Sequence, residues 1–376
     1  MDVSAETRIF LYGMLLDPDL YRIVGGADLV GAGAVLADHA VYWARDESFP
    51  VIIEQAGQSA SGILVTVPGD VRERLDFYET GFGYELYPRV VEYDGHSVEA
   101  LVYFPEAGRW PLGAPWSLGD WQRIFGARTR RAAEDYMRLC GTREPKVAAW
   151  SFPQISARAA SAIRAEAEPS PIMPGFGAMP EPRTDETRHP YTQYYGLRED
   201  DISIPTFAGS TGPVVTRASW LGADAVTVLP YDPVSGSVLM VRQFRHGAFA
   251  RGDTNPYCIE PVAGRIDPGE VPEEAARREM VEEAGIAARD LVKIAGYYPT
   301  PGAYSEHLTS YIAFADLSGR DGTVGGVEDE AEDIMSHVVS LEEALALIRT
   351  GVINTGPLVL SLLWLQMNRD RFVAID

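Results

Sequence analysis

Gly264–Ile286 reads GRIDPGEVPEEAARREMVEEAGI, a loop rich in glycine and proline that runs into a predicted helix. Its prolines favour a helix start, and its last glycine favours a helix stop. Glu279 and Glu283 are four residues apart and share one helical face, with Glu282 beside them. Carboxylates crowded in this way repel one another unless a cation lies between them, and oxygen ligands suit a hard ion such as Mg²⁺ or Mn²⁺. The stretch therefore predicts a divalent-metal site on a helix.

The composition predicts a globular protein with more than one domain. With 376 residues the chain is long for one domain, and its apolar fraction of 46% is ordinary for soluble protein. We expect no membrane span, since apolar runs are short, and no signal peptide, since the N-terminus is acidic. A net charge of −22 argues against nucleic-acid binding. The two cysteines, Cys140 and Cys258, argue against a disulfide framework and favour a reducing cytoplasm.

The chain divides at a proline-rich stretch. Residues 8–104 alternate apolar and polar side chains in short runs, which predicts strands, and two helical patterns follow. Residues 167–190 are aperiodic and have the composition of a linker. A second set of strands and helices follows from about residue 201. These patterns predict a first domain, a helical segment with the linker, and a second domain: 1–145, 146–193 and 194–376.

The acidic stretch matches the Nudix box at every specified position: glycine, five residues, glutamate, seven residues, Arg-Glu, an apolar residue, any residue, Glu-Glu, any residue, glycine, an apolar residue. The alternative is a solvated acidic helix, the usual meaning of a charge run. Three further motifs, Gln243–Arg245, Thr300–Glu306 and Val327–Ile334, make residues 194–376 resemble the ADP-ribose pyrophosphatase branch of the Nudix hydrolases. The resemblance implies an α/β/α sandwich.

The resemblance also implies site residues, carried over position by position. Magnesium or manganese would be held by four groups: the Ala263 carbonyl, Glu279, Glu283 and Glu332. The catalytic residues would be Glu330, which activates water, and Glu282, which serves a second ion. Substrate would be bound by Arg245, Arg217, Glu260 and Glu306. Three alternatives stay open: a solvated acidic loop at 328–333, an exposed position for Arg217 in a strand, and a structural ion pair for Glu260.

The same resemblance implies a reaction and a partner. The substrate would be a nucleoside diphosphate sugar such as ADP-ribose, cleaved to AMP and a sugar phosphate. The branch forms homodimers through strands that precede the box, and Asp201–Trp220 lies in the matching place. We therefore expect a cytoplasmic homodimer.

The first domain carries a second candidate site. Tyr12 and Gly13 end an apolar strand in a turn whose backbone can face an anion, and Glu79 lies at the end of a short predicted helix, among aromatic residues. Their order and spacing resemble the gamma-glutamylcyclotransferase-like (AIG2-like) fold across about residues 8–140, a small β-barrel with helices. The resemblance implies that Glu79 moves a proton. Met14 and Thr80 depart from the family pattern, which predicts weak or no turnover.

The sequence leaves three functions to compare. The chain is expected to be a metal-dependent hydrolase of nucleoside diphosphate sugars. It could instead be bifunctional, with cyclotransferase activity as well, or a nucleotide-sugar sensor without turnover. The full set of glutamates favours catalysis over sensing. We expect a two-domain protein of α+β and α/β class.

Overall fold

The computed structural model describes residues 6–168, 170–175, 177–327 and 332–372. The chain forms two compact units. The first consists of Met1–Met179 with Arg188–Leu197, and the second of Pro180–Thr187 with Arg198–Asp376. None of the described helices is both long and apolar enough to cross a membrane.

The first unit is built around a small β-barrel. Its strands are β1 (Thr7–Leu11), β2 (Gly31–Ala44), β3 (Pro50–Val67), β4 (Tyr84–Tyr93), β5 (His96–Pro105) and β6 (Leu112–Pro115). They pair in the order β3-β1-β5-β4-β2-β6, and β2 also pairs with β3. That last pairing closes the sheet on itself, so the predicted small barrel is confirmed.

Helices cover the barrel of the first unit. They are α1 (Pro18–Gly25), α2 (Gly69–Gly81), α3 (Leu118–Trp121), α4 (Ala127–Met137), α5 (Pro145–Ala149) and α6 (Phe152–Ala167). Asp17 connects α1 to α4. It caps α1 by accepting a hydrogen bond from the Leu20 N–H (2.9 Å), and it accepts two hydrogen bonds from Arg130 of α4 (2.9 Å each). Burial by itself would raise the pKa of Asp17, but these hydrogen bonds outweigh burial and lower it to about 2.

A three-stranded sheet follows, made of β7 (Arg183–Thr192), β8 (Gly196–Pro205) and β9 (Thr211–Leu221). Strand β7 begins inside the stretch whose composition predicts a linker. Several large apolar side chains of this sheet and its turns are exposed, among them Ile204, Phe207, Val214 and Trp220.

The second unit is an α/β/α sandwich, as predicted. Its sheet contains β10 (Ala225–Asp232), β11 (Ser237–Phe244), β12 (Tyr257–Glu260), β13 (Val262–Arg265), β14 (Asp290–Tyr297), β15 (Leu308–Phe314), β16 (Val324–Gly325) and β17 (Ile334–Ser340). The main order is β14-β15-β10-β11-β17-β16, with β12 on β11 and β13 on β10. Every residue of β10 is buried, because both faces of the sheet are covered by helices.

The helices of the second unit are α7 (His246–Arg251), α8 (Pro272–Ala284), α9 (Leu341–Arg349) and α10 (Gly356–Asn368). Helix α8 packs on one face of the sheet, where Met280 meets Val226 and Val241. Helices α9 and α10 pack on the other face, against side chains such as Leu229. The box helix is thus fixed beside the short strand β13.

Candidate active sites of the two units

Helix α8 begins and ends where the sequence predicts. Pro272 occupies its first turn, and Glu274 accepts a hydrogen bond from the Val271 N–H (3.2 Å), which satisfies a free donor of the helix start. Gly285 ends the helix with a φ of 64°, a left-handed conformation that favours glycine. The box therefore folds as a loop and a rigid helix.

Two acids of α8 are buried against β13. Glu279 is 8% exposed and Glu283 is 2% exposed. Glu283 accepts a hydrogen bond from the Ala263 N–H (3.0 Å). Gly264 lies so close to Glu279 that a Cβ at position 264 would collide with the carboxyl group. The glycine is needed here because any side chain would push the acid away from the strand.

Arg278 connects the acids of the box. Its Nη1 donates to Glu279 Oε1 (2.6 Å) and to Glu282 Oε2 (2.9 Å). Its Nε and Nη2 donate to the two oxygens of Glu270 (3.1 and 2.9 Å). Hydrogen bonding to Glu270 is the main reason that the pKa of Arg278 is raised. Arg278 thus holds three acids of the box in place.

The arginines near Glu279 and Glu283 do not bring the pKa values of these two acids back to the ordinary range. Burial raises the pKa of Glu279 to about 7, although Arg278 opposes the rise. Burial also raises the pKa of Glu283 to about 8, and the charges of Glu279 and Glu332 add to it. Within the described residues no three potential ligands already form a metal-binding group. Two buried carboxylates that repel each other nevertheless fit a cation, which would relieve both burial and repulsion.

The first unit contains a large cavity of about 1440 Å³, lined by residues that include Tyr12, Met14 and Glu79. Tyr12 donates a hydrogen bond to the Tyr103 carbonyl (2.7 Å), which fixes it in the wall. Gly13 has a φ of 77°, and a side chain there would collide with Pro50. The turn at residues 12 and 13 is therefore tightly packed.

Glu79 is a deeply buried acid in the wall of this cavity. Burial alone raises its pKa to about 8. Its carboxyl group has no hydrogen bond to the part of the chain that the structure describes. Burial raises the pKa of the neighbouring Tyr84, and the charge of Glu79 raises it further. Glu79 can therefore exchange a proton close to neutral pH, and nothing described in the protein occupies its oxygens.

Each of the two units matches a protein-family model. Residues 222–359 match the model of the NUDIX domain, and residues 9–123 match the model described as gamma-glutamyl cyclotransferase, AIG2-like. The chain is 34% identical over 180 residues to the ADP-ribose pyrophosphatase of Haemophilus influenzae, covering 47% of this chain and 82% of that protein. The chain belongs to the Nudix hydrolase family.

Two further Nudix relatives carry different substrate names. The ADP-ribose pyrophosphatase of Escherichia coli strain K12 is 35% identical over 164 residues, which are 44% of this chain and 78% of that protein. The GDP-mannose pyrophosphatase of Enterobacter sp. strain 638 is 34% identical over 145 residues, which are 39% of this chain and 74% of that protein. Both alignments leave more than half of this Nudix hydrolase uncovered.

Arg245 and Glu260 lie beside the Nudix acids. Arg245 Nε donates to Glu260 Oε2 (2.6 Å), so Glu260 makes the arginine pair that the sequence left open. The charge of Glu283 acts on Arg245 as well. Burial raises the pKa of Glu306 to about 7, and Arg245 opposes this rise. Arg245 therefore lies within electrostatic range of Glu260, Glu283 and Glu306.

Three further residues were predicted for the Nudix site: Arg217, Glu332 and Glu330. Arg217 is exposed on β9 and donates to the Thr216 carbonyl (3.2 Å), so in this chain it does not join the acids of α8. Glu332 accepts a hydrogen bond from the Val327 N–H (3.2 Å) and acts electrostatically on Glu279. Glu330 lies outside the described residues.

Gln243, for which the sequence analysis predicted no role, lies at the Nudix acids. Gln243 is buried, and its Nε2 lies 3.4 Å from Glu283 Oε1. The available signal was its place two residues before Arg245 in an extended stretch at the end of β11, a spacing that puts both side chains on one face. In the first unit the sequence also missed Arg128 of α4, which lines the cavity.

Proposed function

We propose that the second unit hydrolyses the pyrophosphate bond of ADP-ribose or a related nucleoside diphosphate sugar, giving AMP and a sugar phosphate. The observation that carries the proposal is the pair of buried acids, Glu279 and Glu283, held against β13 at Gly264. The names of the relatives support the substrate class, and they include both ADP-ribose and GDP-mannose.

We propose Mg²⁺ or Mn²⁺ as the cofactor. The groups that would hold it are the Ala263 carbonyl, Glu279, Glu283 and Glu332, with Glu282 on a second ion. When bound, such ions lower the pKa of water and stabilise the charge that builds on the phosphate oxygens. The protein contributes position: Arg278 holds Glu279 and Glu282, and Arg245 supplies a cation for the substrate phosphates.

The base that activates water is proposed to be Glu330. Its neighbours support this role, because the start of its loop is attached to α8. The Gly326 N–H donates to the Glu282 carbonyl (3.0 Å), and Glu332 accepts from the Val327 N–H (3.2 Å). Arg217, Glu260 and Glu306 remain proposed substrate contacts, and Arg217 would reach a site only through its exposed strand.

We further propose a cytoplasmic homodimer that is divided into functional segments 1–145, 146–193 and 194–376. Exposed Phe207 and Trp220, in and beside the predicted dimer strands, support self-association. Cys140 and Cys258 are free, which suits a reducing compartment. Light scattering at micromolar concentration should give twice the chain mass. A fully active monomer would contradict the dimer.

Product analysis tests the hydrolase. Purified full-length protein is incubated with ADP-ribose and Mg²⁺, and AMP and ribose 5-phosphate are quantified. We expect both products in equal amounts and none in excess chelator. Full activity in chelator would contradict the metal-dependent mechanism, whereas tight ADP-ribose binding without products would favour the sensor.

A second candidate function for the first unit is gamma-glutamyl cyclotransfer, and the buried acid Glu79 in its cavity, whose pKa is raised to about 8, favours it. In this reaction the substrate's α-amine attacks its own γ-carbonyl, a new C–N bond forms, and the amide C–N bond breaks. Glu79 would take the proton of the α-amine and return it to the leaving amine. The products would be 5-oxoproline and a free amine.

The apolar Met14 in the cavity wall predicts slow turnover, because it offers no hydrogen bond to the substrate. One missing hydrogen bond costs about 0.5–1.5 kcal/mol. Measurement of 5-oxoproline release from γ-glutamyl compounds tests this second function. Brisk release that disappears in Glu79→Gln would contradict the prediction of weak activity.

A further inference from the structure

Gln243 is a buried side chain of β11 that faces the box helix α8. It is 6% exposed. Val241, two residues earlier on the strand, belongs to the same core cluster as Met280 of α8, and side chains two residues apart share a face of a strand. Gln243 therefore points to the side of the sheet that α8 covers, and its Nε2 lies 3.4 Å from Glu283 Oε1.

Two strands hold the carboxyl group of Glu283. The Ala263 N–H of β13 donates to Oε2 (3.0 Å), and the Gln243 amide of β11 donates to Oε1 (3.4 Å). The Gln243 bond is the longer and therefore the weaker of the two. Because each oxygen has its own donor, on a different strand, the orientation of the carboxyl group is fixed more firmly than one bond could fix it.

Glu279, the other buried acid of α8, is held in a different way. Its Oε1 accepts a hydrogen bond from Arg278 (2.6 Å), whose positive charge offsets part of the charge of the acid. The amide of Gln243 and the N–H of Ala263 are neutral donors. They orient Glu283 and leave its negative charge available to a cation, whereas an arginine at position 243 would compete with that cation.

The orientation of a carboxylate matters because hard cations differ in the geometry that they require. Mg²⁺ demands a nearly ideal octahedron with ligands at about 2.0–2.1 Å, whereas Ca²⁺ accepts flexible arrangements with ligands at about 2.3–2.6 Å. Selection between the two ions depends on the flexibility of the ligands as well as on their number. A carboxylate that is held at both oxygens turns and moves outward less readily, so it favours the smaller ion.

We propose that Gln243 is a positioning residue which, by holding Oε1 of Glu283, makes the acids of α8 select Mg²⁺ over Ca²⁺. The inference rests on the proposed metal cofactor. Gln243 acts through Glu283 and is not itself a metal ligand in this proposal. Without its amide, Glu283 keeps the Ala263 bond and can turn about it, so that the larger ion is accommodated more easily.

Displacement of bound Mn²⁺ tests this inference without turnover. The electron paramagnetic resonance signal of free Mn²⁺ gives the fraction that is bound to the full-length protein. The part of the binding that Glu283→Gln abolishes is assigned to the acids of α8. Mg²⁺ and Ca²⁺ are then added separately, and the concentration of each ion that releases half of this Mn²⁺ is determined. We expect the wild type to require less Mg²⁺ than Ca²⁺.

Gln243→Met keeps the length of the side chain and removes the donor, so it should reduce the selectivity for Mg²⁺ by about tenfold, the lower end of the effects of groups that orient metal ligands. Gln243→Asn, whose amide is one methylene shorter, should act in the same direction, and it carries the test if Gln243→Met does not fold. Arg242→Met is the matched control, because Arg242 is exposed and lies over the ring of Tyr257 on the opposite face of β11. Circular dichroism and urea unfolding in chelator establish that each variant is folded.

Reduced selectivity in a folded Gln243 variant, with Arg242→Met like the wild type, supports the inference. A purely structural role would lower stability in chelator and leave the selectivity unchanged. That result, equal weakening of Mg²⁺ and Ca²⁺ binding, or a wild type without preference for Mg²⁺ overturns the role of Gln243, while Mn²⁺ binding that depends on Glu283 still supports the cofactor. A wild type that binds Mn²⁺ no better than Glu283→Gln contradicts the proposed cofactor as well.

Discussion

Glu79 in the first unit and Glu283 in the second have a raised pKa of about 8, and burial is the main cause in both. Their surroundings differ. Glu283 accepts a hydrogen bond from a backbone N–H and lies near the charges of Glu279 and Glu332. Glu79 has neither, and its neighbours include Tyr84. The same raised pKa thus occurs in two kinds of site. Glu283, which lies near other carboxylates, is placed to bind a cation, whereas Glu79, whose pKa is raised by burial alone, is placed to accept and release a proton.

The largest expected effect comes from removing one acid of the cluster. Glu283→Gln should lower kcat for ADP-ribose hydrolysis by on the order of 100-fold or more, since a metal ligand is lost. Glu273→Gln on the same helix is the control, because Glu273 is exposed and pairs with Arg277. Steady-state kinetics measure the effect. Equal kcat values for the two variants would show that the cluster is not the reaction centre.

The next effect concerns the close approach of the strand to the acids. Gly264→Ala should push Glu279 out of place and raise the metal concentration required for activity by about 10–100-fold, the size of effect typical for disturbed ligand positioning. Gly247→Ala is the control, since a Cβ there meets open space. Metal titration of ADP-ribose hydrolysis gives the comparison. A wild-type titration curve for Gly264→Ala would show that Gly264 is not needed to position Glu279 for metal binding.

A third prediction separates the base from the cluster. Glu330→Gln should lower kcat by at least about tenfold with little change in KM, because a base acts mainly in the transition state. Glu332→Gln should instead raise the metal requirement, since its charge acts on Glu279 and Glu283. Kinetics at several Mg²⁺ concentrations distinguish the two. Wild-type behaviour in both variants would place these roles elsewhere.

The prediction with the smallest effect on ADP-ribose hydrolysis concerns stability and Glu79. The pKa of Glu79 is raised from 4.5 to about 8 on folding, so the folded protein holds a proton that the unfolded chain releases. Stability from this proton is complete below pH 4.5 and is lost as pH rises through about 8. Glu79→Gln carries no charge and should be more stable than the wild type at pH 9 by up to about 5 kcal/mol, since each pKa unit of the rise from 4.5 to about 8 corresponds to about 1.4 kcal/mol, with little difference at pH 4.5.

Urea unfolding of the full-length proteins measures this difference, followed by tryptophan fluorescence, which reports mainly on the first unit. A pH-independent difference between Glu79→Gln and the wild type would mean that Glu79 is well solvated. Glu79 would then not share with Glu283 a pKa that is raised by burial.

Local sequence determined the box helix and much of both folds. The spacing of Glu279 and Glu283 places them on one face of any helix, and Pro272 and Gly285 give its ends. The alternating runs at residues 8–104 predict the barrel strands, because a strand's period is visible in a few residues. Such signals need no knowledge of the rest of the chain.

Composition failed where a strand depends on its partner strand. Strand β7 begins at Arg183, inside a stretch that has a linker's composition, because a strand is stabilised by a neighbour that composition does not reveal. Likewise, the exposure of Arg217 depends on which face of its sheet is covered.

Tertiary structure alone decided which groups meet and how deeply they are buried. It placed the Ala263 N–H on Glu283, 20 residues away, and the side chain of Gln243 beside the same acid. It also put Arg128 and Glu79 into one cavity and left each without an ion pair among the described residues. Residue types and their spacing determine what each group can do, whereas packing between distant segments determines its solvation and partners, and these set the charge it carries.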